Sequence, residues 1–224
     1  MIQPGSWVSI YGTDLASGTF LWNNGNFSTS LGGVTVTIDN KQAYLWVVSP
    51  SQINLQVPND SRTGMVSVVV TTPSGTATST VTLAPYGPSF LLLGDGKHAI
   101  GEILTPSGAG AYGSYDLVGP SNTFSYSTRP VKAGETLVLF GVGFGPTTPQ
   151  VSPGQIFSGV APTNTPVTVI IGGVPAIVGF AGIVEAGLYQ INVTVPANAG
   201  TGDQLLLATV NGVQTQMSAF VTLQ

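Results

Sequence analysis

The 224-residue chain has no cysteine, one histidine (His98) and few charged residues, five Lys or Arg against nine Asp or Glu, for a net charge of −4. Without cysteine it can form neither disulfides nor thiolate metal sites. Five basic residues are too few to neutralise a nucleic-acid backbone, so we expect no nucleic-acid partner.

Uncharged residues make up most of this chain. It is 42% hydrophobic, with 30 Gly, 16 Pro and 46 Ser or Thr. High hydrophobicity with low charge argues against disorder, and no segment shows sustained helical apolar spacing. The abundance of Val, Thr, Gly and Pro predicts an all-β protein with hydroxyl groups on its surface.

One stretch, residues 167–184, contains no charged residue and approaches the length of a membrane-spanning helix. Its internal glycines, including Gly172-Gly173, and Pro175 instead predict a hairpin of two buried strands. We therefore expect no membrane span.

An internal repeat organises the chain. Its two copies are recognised by three matching pairs of segments: 34–38 with 167–171, 52–58 with 190–196, and 5–12 with 134–141. In the Gln-Ile-Asn segments, Ile53 and Leu55 should face the core, as should Ile191 and Val193. The intervening Gln52, Asn54 and Gln56 should face outward or bridge to loops.

About seven short alternating runs in each copy have the spacing of a β-sandwich. This predicts one sandwich over residues 1–86 and a second over 131–224. Residues 87–130 are too apolar for a flexible linker, and we expect a packed connector with short strands.

These motifs resemble the IPT/TIG group of immunoglobulin-like (E-set) domains, in particular Pro4-Gly5 to Gly12, Gly33-Val34-Thr35-Val36 and Gln52-Ile53-Asn54 to Val57-Pro58. Over nearly its whole length the chain resembles the C-terminal region of large exported proteins of Solibacter-type acidobacteria. The insertion at residues 18–30 departs from that pattern. The resemblance implies two immunoglobulin-like (TIG/E-set) sandwiches on an exported protein, with no established activity.

The location follows from the same resemblance. Residues 1–4 have neither the basic nor the apolar region of a signal peptide. The chain is therefore either cytoplasmic or an excised piece of a longer exported protein. We expect the excised piece, located outside the cell or on its surface.

Side chains suited to catalysis are sparse. His98 has Asp95 and Glu102 nearby in sequence, but a solvated turn is the favoured interpretation, since no nucleophile motif accompanies it. Paired carboxylates for glycoside hydrolysis have no informative spacing. The dipeptides at 39–40 and 59–60 are interpreted as turns, and a structural calcium remains open. We expect no cofactor and no enzymatic activity.

Aromatic residues give the remaining indication. Phe20 and Trp22 lie with Asn23 and Asn24 in the insertion, and an exposed ring beside amides suits a sugar face. The alternative is that Trp22 covers the end of the sandwich or touches the connector. Trp7 and Trp46 lie in predicted strands, so we expect them in the core.

Three hypotheses follow for the function. The first is a non-catalytic structural or interaction module, such as a spacer, stalk or anchoring unit. The second is a carbohydrate-binding or adhesive module with a polysaccharide partner, and an enzyme ranks third. Edge strands with few charges, such as Val66 to Thr71, also predict a weak homodimer.

Overall fold

The computed structural model describes residues 1–23, 25–105 and 107–224. The described residues form strands and turns and contain no helix, which confirms the all-β prediction. In chain order the strands are β1 (Trp7–Tyr11), β2 (Phe20–Leu21), β3 (Ser30–Leu31), β4 (Val34–Ile38), β5 (Lys41–Gln42), β6 (Tyr44–Val48), β7 (Gln52–Gln56), β8 (Gly64–Thr72), β9 (Gly75–Leu83), β10 (Ser89–Phe90), β11 (Gly101–Leu104), β12 (Tyr115–Val118), β13 (Thr128–Arg129), β14 (Thr136–Val142), β15 (Ser158–Pro162), β16 (Val167–Ile171), β17 (Val174–Glu185), β18 (Leu188–Thr194), β19 (Gly202–Val210), β20 (Val213–Gln214) and β21 (Phe220–Leu223).

The chain divides into two compact units. The first contains Met1–Gly87 together with Thr147–Ala161 and Ile183–Leu188, and the second contains Pro88–Pro146, Pro162–Gly182 and Tyr189–Gln224. The boundaries predicted at residues 86 and 130 remain predictions. The two units are not continuous in sequence, since two segments from the C-terminal part of the chain group with the first unit.

The first unit is a sandwich of two antiparallel sheets. One sheet has the strand order β1-β7-β6-β2, and the other has β3-β4-β8-β9 with β5 paired to β4. Alternate residues point between the sheets, so that Val34, Val36, Ile53 and Leu55 are fully buried. The core prediction for Ile53 and Leu55 is confirmed.

The prediction that Val66 to Thr71 forms an edge strand is wrong. These residues belong to β8, which pairs with β4 on one side and along its whole length with β9 on the other. The nine-residue β9 takes the edge position, because the hairpin between Thr72 and Gly75 folds it back onto β8.

The second unit repeats the strand pairing of the first in the same register. In the first unit Tyr11 lies opposite Gln52, and in the second Phe140 lies opposite Gln190. An amide bond is repeated as well, since Gln52 donates to Asn54 at 2.6 Å and Gln190 to Asn192 at 2.8 Å. The core of the second unit includes Leu137, Leu139, Val169, Ile171, Ile191, Val193, Leu206 and Ala208.

The uncharged stretch at 167–184 contains the predicted hairpin. Ile171 pairs with Val174 across Gly172 and Gly173, which both have positive φ. The expectation that the second strand of the hairpin is packed on both faces is wrong, because alternate residues of β17 are exposed, Ile177 among them. The part of the chain that the structure describes has no helix long and apolar enough to cross a membrane.

Residues 88–130 contribute β10 to β13, and these strands join the sheet of the second unit. Both β10 and β11 pair with β14, while β12 and β13 extend the sheet from β11. Ile103 and Val118 from this segment are buried. The described strands of this segment therefore belong to the second unit, whereas its role as a packed connector between two sandwiches remains a prediction.

Candidate functional site

The outer face of the β1-β7-β6-β2 sheet carries aromatic and amide side chains. We use the term outer face for the residues of this sheet that point away from the core: Trp7, Ser9, Tyr11, Leu21, Tyr44, Trp46, Val47, Gln52, Asn54 and Gln56. None of the four strands contains a charged residue. A ligand of the outer face would therefore meet no charged side chain on these four strands.

Four aromatic rings form a continuous chain at one end of the outer face. The Trp22 ring centre lies 4.6 Å from that of Phe27, Phe27 lies 5.0 Å from Trp7, and Trp7 lies 5.6 Å from Trp46. Such offset and edge contacts are favourable beyond the apolar area that they bury. Trp7 is fixed further, because its indole N–H donates to the carbonyl of Ala186 at 2.5 Å.

The structure places the predicted sugar-binding residues as follows. Phe20 is half-buried and packs over Gly32, where a Cβ atom would overlap its ring. Trp22 is half-buried against Phe27, and its Nε1 is buried with no hydrogen-bond partner among the described residues. Asn23 is exposed, and Asn24 lies outside the described residues.

The expectation that Trp7 and Trp46 pack in the core is wrong. Trp7 is half-buried on the outer face, and Trp46 is 46% exposed. Trp46 follows the buried Leu45, so the alternation along β6 points its ring outward, and the bulge between Leu45 and Val47 keeps Val47 on the same outer side. Sequence periodicity alone does not reveal a bulge.

A row of polar groups crosses the outer face beside the rings. Asn54 Oδ1 accepts hydrogen bonds from Ser9 Oγ at 2.8 Å and from Gln52 Nε2 at 2.6 Å. Next to this row Tyr11 is 74% exposed. Sequence reasoning missed Tyr11, although its position two residues after Ser9 on one strand signals the same face.

Gln56 closes the other end of the row and is only 1% exposed. Its Nε2 donates to the carbonyl of Gly5 at 2.9 Å, and its Oε1 accepts from the backbone N–H of Gly154 at 2.8 Å. The predicted alternative of bridging to loops thus applies to Gln56, whereas Gln52 and Asn54 stay half-exposed.

A second cluster of polar side chains surrounds His98 in the second unit. The favoured interpretation of a solvated turn is wrong, since His98 is 5% exposed. Its Nδ1 lies 2.5 Å from Asp95 Oδ2, and its Nε2 lies 3.1 Å from Asp203 Oδ1, although in a direction that does not make a hydrogen bond. Phe124 presents an aromatic contact to the ring at 6.4 Å.

The two carboxylates beside His98 are stabilised in their charged form. The hydrogen bond from Lys97, at 2.6 Å, is the main cause that lowers the pKa of Asp203 to about 2, and a bond from Thr222 and the nearby His98 ring lower it further. Burial acts to raise the pKa of Asp95, but bonds from His98 and the backbone N–H groups outweigh it and lower the pKa. Glu102, the other predicted partner, stands on β11, where burial raises its pKa.

Four of the five Lys and Arg side chains form ion pairs. Arg129 holds Asp116 at 2.6 Å and both oxygens of Glu135 at 2.9 and 3.0 Å. The other pairs are Lys41–Asp60, Arg62–Asp39 and Lys97–Asp203. The predicted turn at Asp39-Asn40 is present, with positive φ at both residues. Within the described ranges, no three His, Asp or Glu side chains are grouped so that they could hold a metal ion.

One comparison with known proteins identifies a family for the N-terminal part of the chain. Residues 1–85 match the family model of the IPT/TIG domain. No curated protein matches the chain. Among solved structures, it is similar to the extracellular region of plexin A4, at 12% identity and a TM-score of 0.32, over 99% of this chain and 17% of that one.

Two bacterial surface structures show similarly distant likeness. The SGBP-B protein of a Bacteroides ovatus mixed-linkage glucan utilization locus, in complex with a heptasaccharide, has 11% identity and a TM-score of 0.37 over 100% of this chain and 43% of that one. Domains 5–6 of the S-layer protein SbsC have 13% identity and a TM-score of 0.30, over 99% and 91%. The chain thus spans less than half of the plexin and SGBP-B chains, and these values support no functional argument. The family match makes residues 1–85 similar to an IPT/TIG domain.

Proposed function

We propose that this chain is a non-catalytic structural and interaction module of an exported or cell-surface bacterial protein, where it acts as a spacer, stalk or anchoring unit. It consists of two immunoglobulin-like sandwiches joined by the packed segment 87–130. The resemblance of its repeated motifs to regions of exported proteins supports this location.

The use of its ionisable side chains carries the proposal. Arg129 links β13 to Asp116 of β12 and to Glu135, next to β14. Lys97 and Asp203 connect the turn before His98 to β19. Catalytic groups typically converge on an open cleft. The charged side chains of this chain instead pair with one another between neighbouring strands, so their role is to stabilise the fold.

The location is tested on intact cells that carry the full-length native protein. A membrane-impermeant amine reagent should modify the partly exposed Lys41 and Lys97 before lysis, as detected by peptide mass spectrometry. A cytoplasmic protein in the same sample serves as the control and should react only after lysis. Modification of the two lysines only after lysis would contradict the proposal.

The outer face favours a second function, the binding of a neutral polysaccharide. Trp46 and Tyr11 are exposed on a sheet face without charged residues, beside the amides of Gln52 and Asn54. Sugar rings stack on aromatic faces while amides bond their hydroxyl groups. We thus assign the binding to the outer face rather than to Phe20 and Asn23 of the insertion, with Trp22 as support for Phe27.

Polysaccharide pull-down tests this second function. Neutral glucans and mannans should retain the wild type, and Trp46→Ala should lose at least tenfold in affinity, about 1.4 kcal/mol. Trp22→Ala should lose less, because its ring lies behind Phe27. Met65→Ala on the other sheet is the matched control, since Met65 is also exposed and apolar. A wild type that binds none of the glycans would remove this candidate.

A further inference from the structure

The strand β9 presents an open edge in the first unit. It pairs with β8 on one side and lies at the end of its sheet. On the other side Ile2 covers only the C-terminal end of β9, where its N–H donates to Thr82 at 2.9 Å and its carbonyl accepts from Ala84 at 3.0 Å. From Gly75 to Thr80, every residue of β9 is exposed.

These two bonds identify the backbone groups that line the open edge. In a regular strand the N–H and C=O of one residue point to the same side, and successive residues alternate. Because Thr82 and Ala84 point away from β8, so do Thr76, Thr78 and Thr80, and the β8–β9 register has no shift that would break the alternation. Three residues thus offer three donors and three acceptors to another strand.

Nothing in the sequence of this edge discourages pairing. Natural edge strands are blocked by charged residues, proline or bulges, and Gly75–Leu83 contains none of these. Thr76, Thr78 and Thr80 share one face, whereas the small Ala77 and Ser79 point inward. The inward side is also open, because Ala77 and Ser79 line an apolar groove of about 440 Å³ between β9 and β1.

We propose that a second copy of this chain pairs with β9, antiparallel, about a two-fold axis through Thr78. In this register Thr78 of one copy lies opposite Thr78 of the other copy. Thr76 of each copy lies opposite Thr80 of the other, and Ala77 lies opposite Ser79. The three backbone N–H groups and three carbonyl groups that each copy presents at this edge then all form hydrogen bonds with the other copy. Threonine pairs stabilise antiparallel strands, and an uncharged edge meets no repulsion from its own copy.

The arrangement explains why a second copy fits better than a charged peptide. The edge carries no charge that would select an acidic or basic partner. Its threonines recur at every second residue, so the same pattern is met when a second copy runs antiparallel to it. A contact of five residues per copy is small, so the dimer is weak and forms at high concentration or where copies are held close together.

Cysteine cross-linking tests the register, because the chain contains no cysteine of its own. Directly opposed residues have Cα atoms about 5.5 Å apart, within the range that a disulfide spans. Thr78→Cys should therefore form a disulfide-linked dimer with oxidised glutathione at high protein concentration. Thr76→Cys is the matched control. Its cysteine lies opposite Thr80 of the second copy, about 14 Å from the cysteine of that copy, so this variant should not form a disulfide-linked dimer.

A second variant measures the pairing without oxidation. Thr78→Lys places two like charges opposite each other and should abolish the concentration-dependent rise in mass seen by light scattering for the wild type. Thr63→Lys, at an exposed position before β8, should leave that rise unchanged. A monomeric wild type at millimolar concentration, or equal cross-linking of Thr76→Cys and Thr78→Cys, would overturn the proposal.

Discussion

Single polar residues of this chain hold together segments that are distant in sequence. Gln56 joins Gly5 to Gly154, and Trp7 is joined to Ala186 by its indole N–H. Both residues lie on the outer face, so the residues that shape this face also anchor the segments 147–161 and 183–188 within the first unit. At this scale, buried polar contacts behind the outer face stabilise the first unit.

Replacing Gln56 tests this dependence. In Gln56→Leu the carbonyl of Gly5 and the N–H of Gly154 lose their partner while buried, so the free energy of unfolding should fall by about 2–3 kcal/mol. Gln52→Leu is the control on the same strand, since Gln52 is half-exposed and bonds only within the polar row. Its cost should stay below about 1 kcal/mol in the same urea titration. Equal costs would contradict the bridging role of Gln56.

Asp203 predicts how stability depends on acid. Its pKa is about 2 in the folded protein against an ordinary value of 3.8. A carboxylate with a lowered pKa stabilises the fold above its ordinary pKa, and this contribution disappears as the pH falls from about 4 through about 2. With partial exposure of the side chain taken into account, the contribution is about 1–2 kcal/mol.

The measurement is the midpoint of thermal unfolding from pH 6 to pH 2. The wild type should lose more stability between pH 4 and pH 2 than Asp203→Asn, which lacks the titrating group. Asp14→Asn, at an exposed position, is the control and should follow the wild type. Parallel curves for the wild type and Asp203→Asn would show that the Lys97–Asp203 pair does not act in this way.

Secondary-structure elements were the most predictable level of this molecule. The Gln-Ile-Asn strands and the hairpin at Gly172-Gly173 follow from alternation and turn chemistry, both of which are local. The bulge beside Trp46 and the position of β8 inside its sheet depend on partners that are distant in the chain, so local patterns do not reveal them. Tyr11, by contrast, could have been found from local alternation, because it lies two residues after Ser9 on β1.

The turn between β17 and β18 depends on glycine at position 187. Gly187 has a φ of +68°, and a Cβ atom there would lie 2.6 Å from the carbonyl of Gly5 and 2.7 Å from Gln56 Nε2. Gly187→Ala should therefore cost about 2–4 kcal/mol, through backbone strain and displacement of Gln56.

Gly25 provides the control for that substitution. Its φ of +70° is nearly the same, but among the described residues other than its chain neighbours no atom lies within 4 Å of the added methyl group. Gly25→Ala should cost only the conformational part, about 1 kcal/mol, in the same urea titration. If both variants lose equal stability, the close approach at Gly187 contributes nothing.

At the scale of the whole molecule, the repeat predicted two related folding patterns, and the shared register of β1–β7 and β14–β18 agrees with it. The membership of Thr147–Ala161 and Ile183–Leu188 in the first unit was not predictable, because it depends on contacts such as that of Gln56 with Gly154. The sequence likewise placed Asp95 near His98, but it revealed neither the burial of His98 nor the approach of Asp203 from β19.

The central claim is that the ionisable groups of this chain are structural, and His98 provides its most direct test. Catalytic groups are held at a cost to stability, so replacing them leaves stability unchanged or raises it, whereas removal of a buried structural group destabilises the fold. The measurement is the free energy of unfolding of His98→Gln at pH 7. The account predicts a loss of about 1–3 kcal/mol relative to the wild type, and an unchanged or increased stability would contradict it.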